Sequence, residues 1–277
     1  MNKNVKKNAL FASPYIVWIA AFIIIPLLFI IYYGFTDGAG NFTLENIKAI
    51  AKPENYEALI LSLILAVVST VICLLLAYPL ALILRNMNMS KQGFIVFVFI
   101  LPMWMNFLLR TYAWQAILDI NGILDLFLAK FGITDFNIMN TPAAIILGMV
   151  YDYLPFMVLP IYNVLVKIDD NVINAARDLG ANFWQTLIKI IIPLSKSGIA
   201  SGIIMVFVPS LTSFVISDIL GGAKIQLIGN IIEDKVKRGN NLNLGAGLSL
   251  VLMIFIVVNM MFSGDEESGS VKVKEGK

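Results

Sequence analysis

Six apolar stretches, at residues 11–33, 58–84, 94–118, 143–166, 198–220 and 244–262, alternate with shorter polar segments along the chain. Crossing a hydrocarbon core takes a helix of about 20 residues, and all six come close to or exceed that length. A segment in lipid must satisfy its own backbone hydrogen bonds, so helices are expected throughout. The pattern predicts an all-α, polytopic integral membrane protein with six transmembrane helices. The first stretch follows Lys3, Lys6 and Lys7. Its apolar part is too long for a signal-peptide core and lacks a small-residue cleavage site, so it reads as a retained anchor. Past residue 262, Asp265-Glu266-Glu267 and small residues read as a solvated, disordered tail over 263–277. Residues 1–262 are then one membrane domain, without tandem repeats.

Composition agrees with the pattern. The chain is 59% hydrophobic and 14% charged, with a mean hydropathy of +0.84, whereas soluble proteins carry roughly 25% charged residues. Cys73 is the only cysteine and lies inside an apolar run, which excludes a disulfide framework and a thiolate metal site. The sequence has no histidine, which removes the commonest general base and metal ligand.

Charge distribution orients the spans. With the N-terminus inside, twelve cations fall in inner segments: Lys3, Lys6, Lys7, Arg85, Lys91, Lys167, Arg177, Lys189, Lys196, Lys272, Lys274 and Lys277. Seven fall outside: Lys48, Lys52, Lys130, Lys224, Lys235, Lys237 and Arg238. Four of those seven crowd into the loop 221–243 and run against the bias. The total places both termini in the cytoplasm.

The segment between the fourth and fifth stretches, about 168–197, is too long and too patterned for a plain turn. Asp169 or Asp170 can cap a first short helix, in which Val172, Ile173, Ala176 and Leu179 recur at helical spacing. Gly180 stands where a left-handed residue would end it. Asn182 can cap a second helix, with Gln185 in capping-box register. Phe183, Trp184 and Leu187 then make an apolar cluster, and Pro193 halts the run. Ala175 and Ala176 are small enough for close approach to another surface. The plainer reading is an amphipathic helix lying on headgroups, in which a glycine elbow has no role.

Asn174-Ala175-Ala176, three residues, Gly180, nine residues and Ile190-Ile191-Ile192-Pro193 resemble the "EAA" loop of ABC importer permeases. That loop reads Glu-Ala-Ala, then Gly, then Ile-x-Leu-Pro; Asn174 replaces the Glu and Ile192 the Leu. The resemblance implies a type I ABC importer permease fold. It also implies that Asn174, Ala175, Ala176, Asp178, Gly180, Phe183, Trp184 and Pro193 enter a cleft of a cytoplasmic ATPase dimer. The chain contains no Gly-x-x-x-x-Gly-Lys-Ser/Thr loop. It is therefore expected to be no enzyme and to bind no cofactor, with ATP and Mg on the partner ATPase.

Leu101-Pro102-Met103-Trp104, Arg110-Thr111-Tyr112-Ala113-Trp114, Tyr153-Leu154-Pro155-Phe156 and Ser217-Asp218-Ile219-Leu220-Gly221-Gly222 are similar to the spermidine/putrescine import permeases. The likeness implies a heterodimer with a second permease, and an extracellular or periplasmic solute-binding protein. It implies contact with membrane lipid and none with nucleic acid. A polyamine is a string of ammonium groups, so its pathway calls for carboxylates and aromatic faces. Asp152, between Tyr151 and Tyr153, lies near the middle of the fourth stretch, where an ionisable group is costly. Trp104, Tyr112 and Trp114 could supply ring faces; Asp218, Asp119 and Asp125 lie nearer the span ends. Each has a structural alternative. The aromatics could be an interfacial belt, and Asp152 could pair with Arg110 as an interhelical lock.

Pro26, Pro79, Pro102, Pro155, Pro160 and Pro209 fall inside apolar stretches, where each removes a helix hydrogen bond. Gly198 and Gly202 form a small-xxx-small pair suited to close helix contact, within this chain or with a partner permease. Two other classes stay open. An ion-coupled secondary transporter would use Asp152 as its coupling site but leaves the loop unexplained. An intramembrane enzyme would need a nucleophile and base that the sequence does not offer.

Overall fold

The computed structural model describes residues 14–87, 103–120, 122–132, 138–237, 239 and 241–271; side chains at 223, 259 and 261–271 are not described. The expected elements at 11–13, 94–102 and 272–277 lie outside these residues, as do Lys3, Lys6, Lys7, Lys91 and Arg238. Described elements are helices, apart from an isolated bridge between Thr36 and Phe42. The chain divides into two compact units. One is drawn from Met1–Tyr56 with Ile231–Val257, the other from Glu57–Asn230 with Val258–Lys277.

In the first unit, α1 (Pro14–Gly34) is apolar all round, and none of its most hydrophobic window is buried within the chain. A π-helical turn at Ala20–Ile24 precedes Pro26, whose missing N–H is thereby accommodated. Carbonyls left over at the C-terminal end of α1 are collected by two asparagines. Asn46 Nδ2 donates to Thr36 O at 2.8 Å, and Asn243 Nδ2 donates to the same oxygen at 2.7 Å. Between them, the Asp37 carboxylate accepts from backbone and side chain of Asn41, which holds its pKa below the usual carboxylate range. The last helix, named below as α11, runs Leu242–Val271. Its backbone continues past residue 262 into the segment assigned to the tail.

In the second unit, α2 (Pro53–Arg85) buries Ala66, Ser69, Thr70, Cys73, Ala77, Ala81 and Leu84, a stripe at helical spacing. The central helix is α5 (Pro142–Leu165), capped by Thr141 and started by Pro142 at its first position. Pro155 and Pro160 lie inside it, as Pro79 lies inside α2. Before it come α3 (Phe107–Leu118), whose Asn106 Oδ1 caps Leu108 N at 2.8 Å, and α4 (Ile123–Ala129). After it come α6 (Asp170–Asp178), α7 (Phe183–Leu194), α8 (Lys196–Thr212) and α9 (Val215–Leu220); α10 (Ile228–Lys237) begins in this unit and continues in the first, followed in the chain by α11.

Two expected spans are interrupted. Among the described residues, Pro14–Gly34, Pro53–Arg85 and Pro142–Leu165 are each long and apolar enough to cross a membrane alone. The third stretch is broken before Asn106, and α3 is only its second half. The fifth is broken at Ser213-Phe214, so α8 and α9 replace one continuous helix. Partners distant in sequence fill this break. Gly229 lies against the Thr212 and Ser213 carbonyls, where a Cβ would come within 2.9 and 3.0 Å. Asn230 Nδ2 donates to Phe214 O at 3.1 Å. Irregular backbone inside an apolar stretch is tolerated because protein satisfies it.

The α5–α8 contact settles the small-residue pair. A Cβ on Gly198 would lie 2.8 Å from Pro160 O, and one on Gly202 would lie 2.7 Å from Met157 Sδ. Both glycines therefore admit α5 of the same chain. Gly148 likewise admits Ile216 and Leu220 of α9.

Candidate functional site

The loop between α5 and α8 is built from local rules. Asp169 Oδ1 accepts from Asn171 N at 2.9 Å and caps α6. Ile173 and Ala176 face inward, while Asn174, Ala175 and Asp178 face out. At the end of α6, Gly180 takes φ +82°, Gly180 N donates to Arg177 O at 2.9 Å, and Ala181 N donates to Ala176 O at 3.0 Å. These paired bonds form a Schellman motif, which satisfies carbonyls that would otherwise be orphaned. Two residues on, Asn182 and Gln185 cap each other's backbone at 2.8 and 2.9 Å, a complete capping box for α7.

This frame holds apolar side chains out. Leu179 is 90% exposed, Trp184 66% and Phe183 62%, and the last two rings meet edge-on at 5.5 Å. Leu187, expected in the same cluster, is instead buried. Val172 is exposed too. Pro193 lies within α7 after a π-helical turn at Leu187–Ile191; the run ends at Ser195, where α7 and α8 meet at 68°.

The expected pathway residues fall into separate groups. Asp152 is 1% exposed, and its Oδ1 lies 3.4 Å from Arg110 Nε, itself 8% exposed. Nε and Nη1 of Arg110 and both carboxylate oxygens lack a hydrogen-bond partner among the described residues. The contact is thus an ion pair between α3 and α5 with poor hydrogen-bond geometry. Trp114 and Tyr151 meet edge-on at 5.2 Å. Tyr153 is buried, with its hydroxyl directed at Pro209 O at 3.5 Å. Trp104 and Tyr112 are largely exposed. Asp218 accepts from Asn230 Nδ2, and Asn230 Oδ1 accepts from Ser217 Oγ at 2.6 Å. Sequence reading missed Asn230, whose polarity in an apolar setting was the available signal. No group of three potential metal ligands occurs among the described residues.

Residues 77–264 match the family model of the binding-protein-dependent transport system inner membrane component. The chain belongs to this family. It is 40% identical over 245 residues to the spermidine/putrescine transport system permease protein PotB of Escherichia coli strain K12, covering 86% of this chain and 89% of that one. The PotB of Haemophilus influenzae is 35% identical over 249 residues, covering 87% of each chain. Among solved structures, a bacterial ABC transporter involved in the import of alginate superposes with a TM-score of 0.81 at 15% identity, over 95% of this chain and 96% of that one. The fold is therefore that of an ABC importer permease. The chain is a multi-pass membrane protein and a transport component, not an enzyme. Membership excludes the secondary transporter and the intramembrane enzyme.

Proposed function

We propose that the chain is the permease subunit of an ATP-driven importer that carries spermidine or putrescine into the cell. Its likeness to two PotB proteins over most of their length supports the substrate class. In this reading residues 168–197 face the cytoplasm and dock a separate ATPase dimer, which holds ATP and Mg. The observation that carries the docking role is the Schellman elbow at Gly180, which presents Leu179, Phe183 and Trp184 to solvent. Exposed aromatics on a rigid frame are what a protein partner buries. A second permease completes the membrane unit, and an outer solute-binding protein delivers the substrate. Both termini lie in the cytoplasm, and residues 263–277 form a tail outside the permease domain.

Asp152, Tyr151, Tyr153, Trp104, Tyr112, Trp114 and Asp218 remain the proposed pathway set. The Arg110 contact favours an interhelical lock as the resting role of Asp152, because the guanidinium already neutralises it. The test is ATP-dependent uptake of labelled spermidine into proteoliposomes holding this chain with its ATPase, second permease and binding protein. Uptake should disappear when this chain is left out. Uptake of another solute class with polyamines ignored would refute the substrate assignment.

A further inference from the structure

We propose that Tyr78 and Arg85 of α2 are positioning residues that tie both ends of the loop to one membrane helix and pass its movement inward. The proposal rests on the docking role given to that loop. Seven residues is close to two helical turns, so both side chains leave α2 on nearly the same face, about 10 Å apart along the axis.

Arg85 holds the entrance. Its Nε donates to Leu165 O at 2.8 Å, and its Nη2 donates to Ile168 O at 3.0 Å and Asp170 Oδ1 at 2.7 Å. Leu165 ends α5 and Asp170 begins α6, so one guanidinium spans the junction where the helix carbonyls run out. The Arg85 side chain is 10% exposed and that of Asp170 83%. The carbonyl bonds therefore carry the hold, since an exposed carboxylate adds little.

Tyr78 holds the exit. Ser195 is fully buried at the 68° bend between α7 and α8. Its Oγ lies 2.9 Å from the Tyr78 hydroxyl, a hydrogen bond in which either group can donate, and 3.1 Å from Ile192 O. A cavity of about 560 Å³ lies between the two ties, lined by Pro79, Leu82, Ile83, Ile173, Phe183 and Ile191 among others. Beside it Ile173, Leu187 and Ile191 share one buried apolar core with Ala77, Ala81 and Leu84 of α2. The polar bonds at the cavity's ends add directional ties to that apolar contact, and through them movement of α6 and α7 is delivered to α2. Points of compliance flank the exit tie: Pro79 beside Tyr78, and the π-helical turn Leu187–Ile191 before Ser195.

Proteoliposomes of the whole transporter allow spermidine uptake and ATP hydrolysis to be measured on one sample. Tyr78→Phe keeps the ring and deletes the hydroxyl; Ser195→Ala deletes its partner. Each should lower uptake per ATP hydrolysed by about two- to tenfold, the range a single hydrogen bond commands. Basal hydrolysis and the amount of co-purified ATPase should stay at the wild-type level. The double variant should be no worse than the more severe single one, because one bond is lost only once. Arg85→Gln should lower the same ratio, with partial recovery in Arg85→Lys. Undiminished uptake per ATP in Tyr78→Phe would overturn the proposal. Loss of ATPase from the Tyr78→Phe complex would overturn it too, by making the bond a matter of assembly. A wild-type chain that captured no ATPase would refute the docking role itself, a result distinct from every variant outcome.

Discussion

The α5–α8 contact and the loop that joins those two helices use glycine for opposite reasons. At Gly198 the backbone is ordinary and space is lacking: Pro160 O, Val164 Cγ2 and Ile161 Cα all crowd the place of a Cβ. At Gly180 space is open, with nothing within 4 Å, and the backbone is what excludes other residues, at φ +82°. Around Gly198 the surface is already covered by the same chain. Around Gly180 it is held out, with Leu179 nearly fully exposed. One region is complete by itself, and the other is shaped for contact with something else. Lesions in the first should therefore damage the protein, and lesions in the second should damage only what it does with a partner.

The largest effect belongs to the closed region. Asp152→Asn strands the buried guanidinium of Arg110, and breaking such a pair costs about 3–5 kcal/mol. The purified complex should assemble poorly and unfold at lower temperature. Adding Arg110→Gln should recover assembly, since no charge is then left unpaired. If the double variant assembles but no longer imports spermidine, Asp152 also serves the substrate; full uptake clears it of that role.

Gly198→Val comes next. The added side chain meets backbone at Pro160, which a rotamer change cannot relieve, and overpacking of this kind costs about 1–3 kcal/mol. Thermal unfolding of the purified complex should shift down. Retention of the wild-type midpoint would show that α5 and α8 separate more easily than the contact suggests.

In the loop, Gly180→Val should leave the unfolding midpoint nearly unchanged while uptake per ATP hydrolysed falls. The left-handed backbone costs a branched residue about 1–2 kcal/mol, which the elbow relieves by changing direction. Gly180→Asn, which tolerates that conformation, should retain more of the uptake. Equal uptake by Gly180→Val and wild type would sink the contrast between the two glycines. Smaller still is Asn182→Ala, which deletes one half of the capping box at about 1 kcal/mol. It should reduce coupling slightly and assembly not at all.

The elbow was open to reading from sequence because its causes are local. A left-handed glycine, a capping asparagine and Gln185 three residues on act through neighbours a few positions away. The apolar stretches were legible for the same reason. The pairing of Arg110 with Asp152 is not local, and it was open only as one of two alternatives, because a charge inside an apolar stretch calls for a partner. The breaks were not legible. Pro209 weakens the helix near Ser213 but lies inside α8, which runs on to Thr212; Gly229 and Asn230, sixteen residues beyond Ser213 and Phe214 respectively, accommodate the break. The inward turn of Leu187 and the tie of Tyr78 to Ser195 likewise depend on packing between segments far apart in sequence. Exposure of Phe183 and Trp184 cannot be read from pattern either, since the same apolar residues could have closed on their own chain.

Photocross-linking from position 184 tests most directly whether the loop docks a separate ATPase. Trp184 is replaced by benzoyl-phenylalanine in the assembled transporter, which is irradiated and probed for the ATPase. The expected result is an adduct between this chain and the ATPase, absent when the same probe replaces Phe42, which is exposed in the segment between α1 and α2. An irradiated complex that still imports spermidine, yet links position 184 only to lipid or to the second permease, would contradict the docking role.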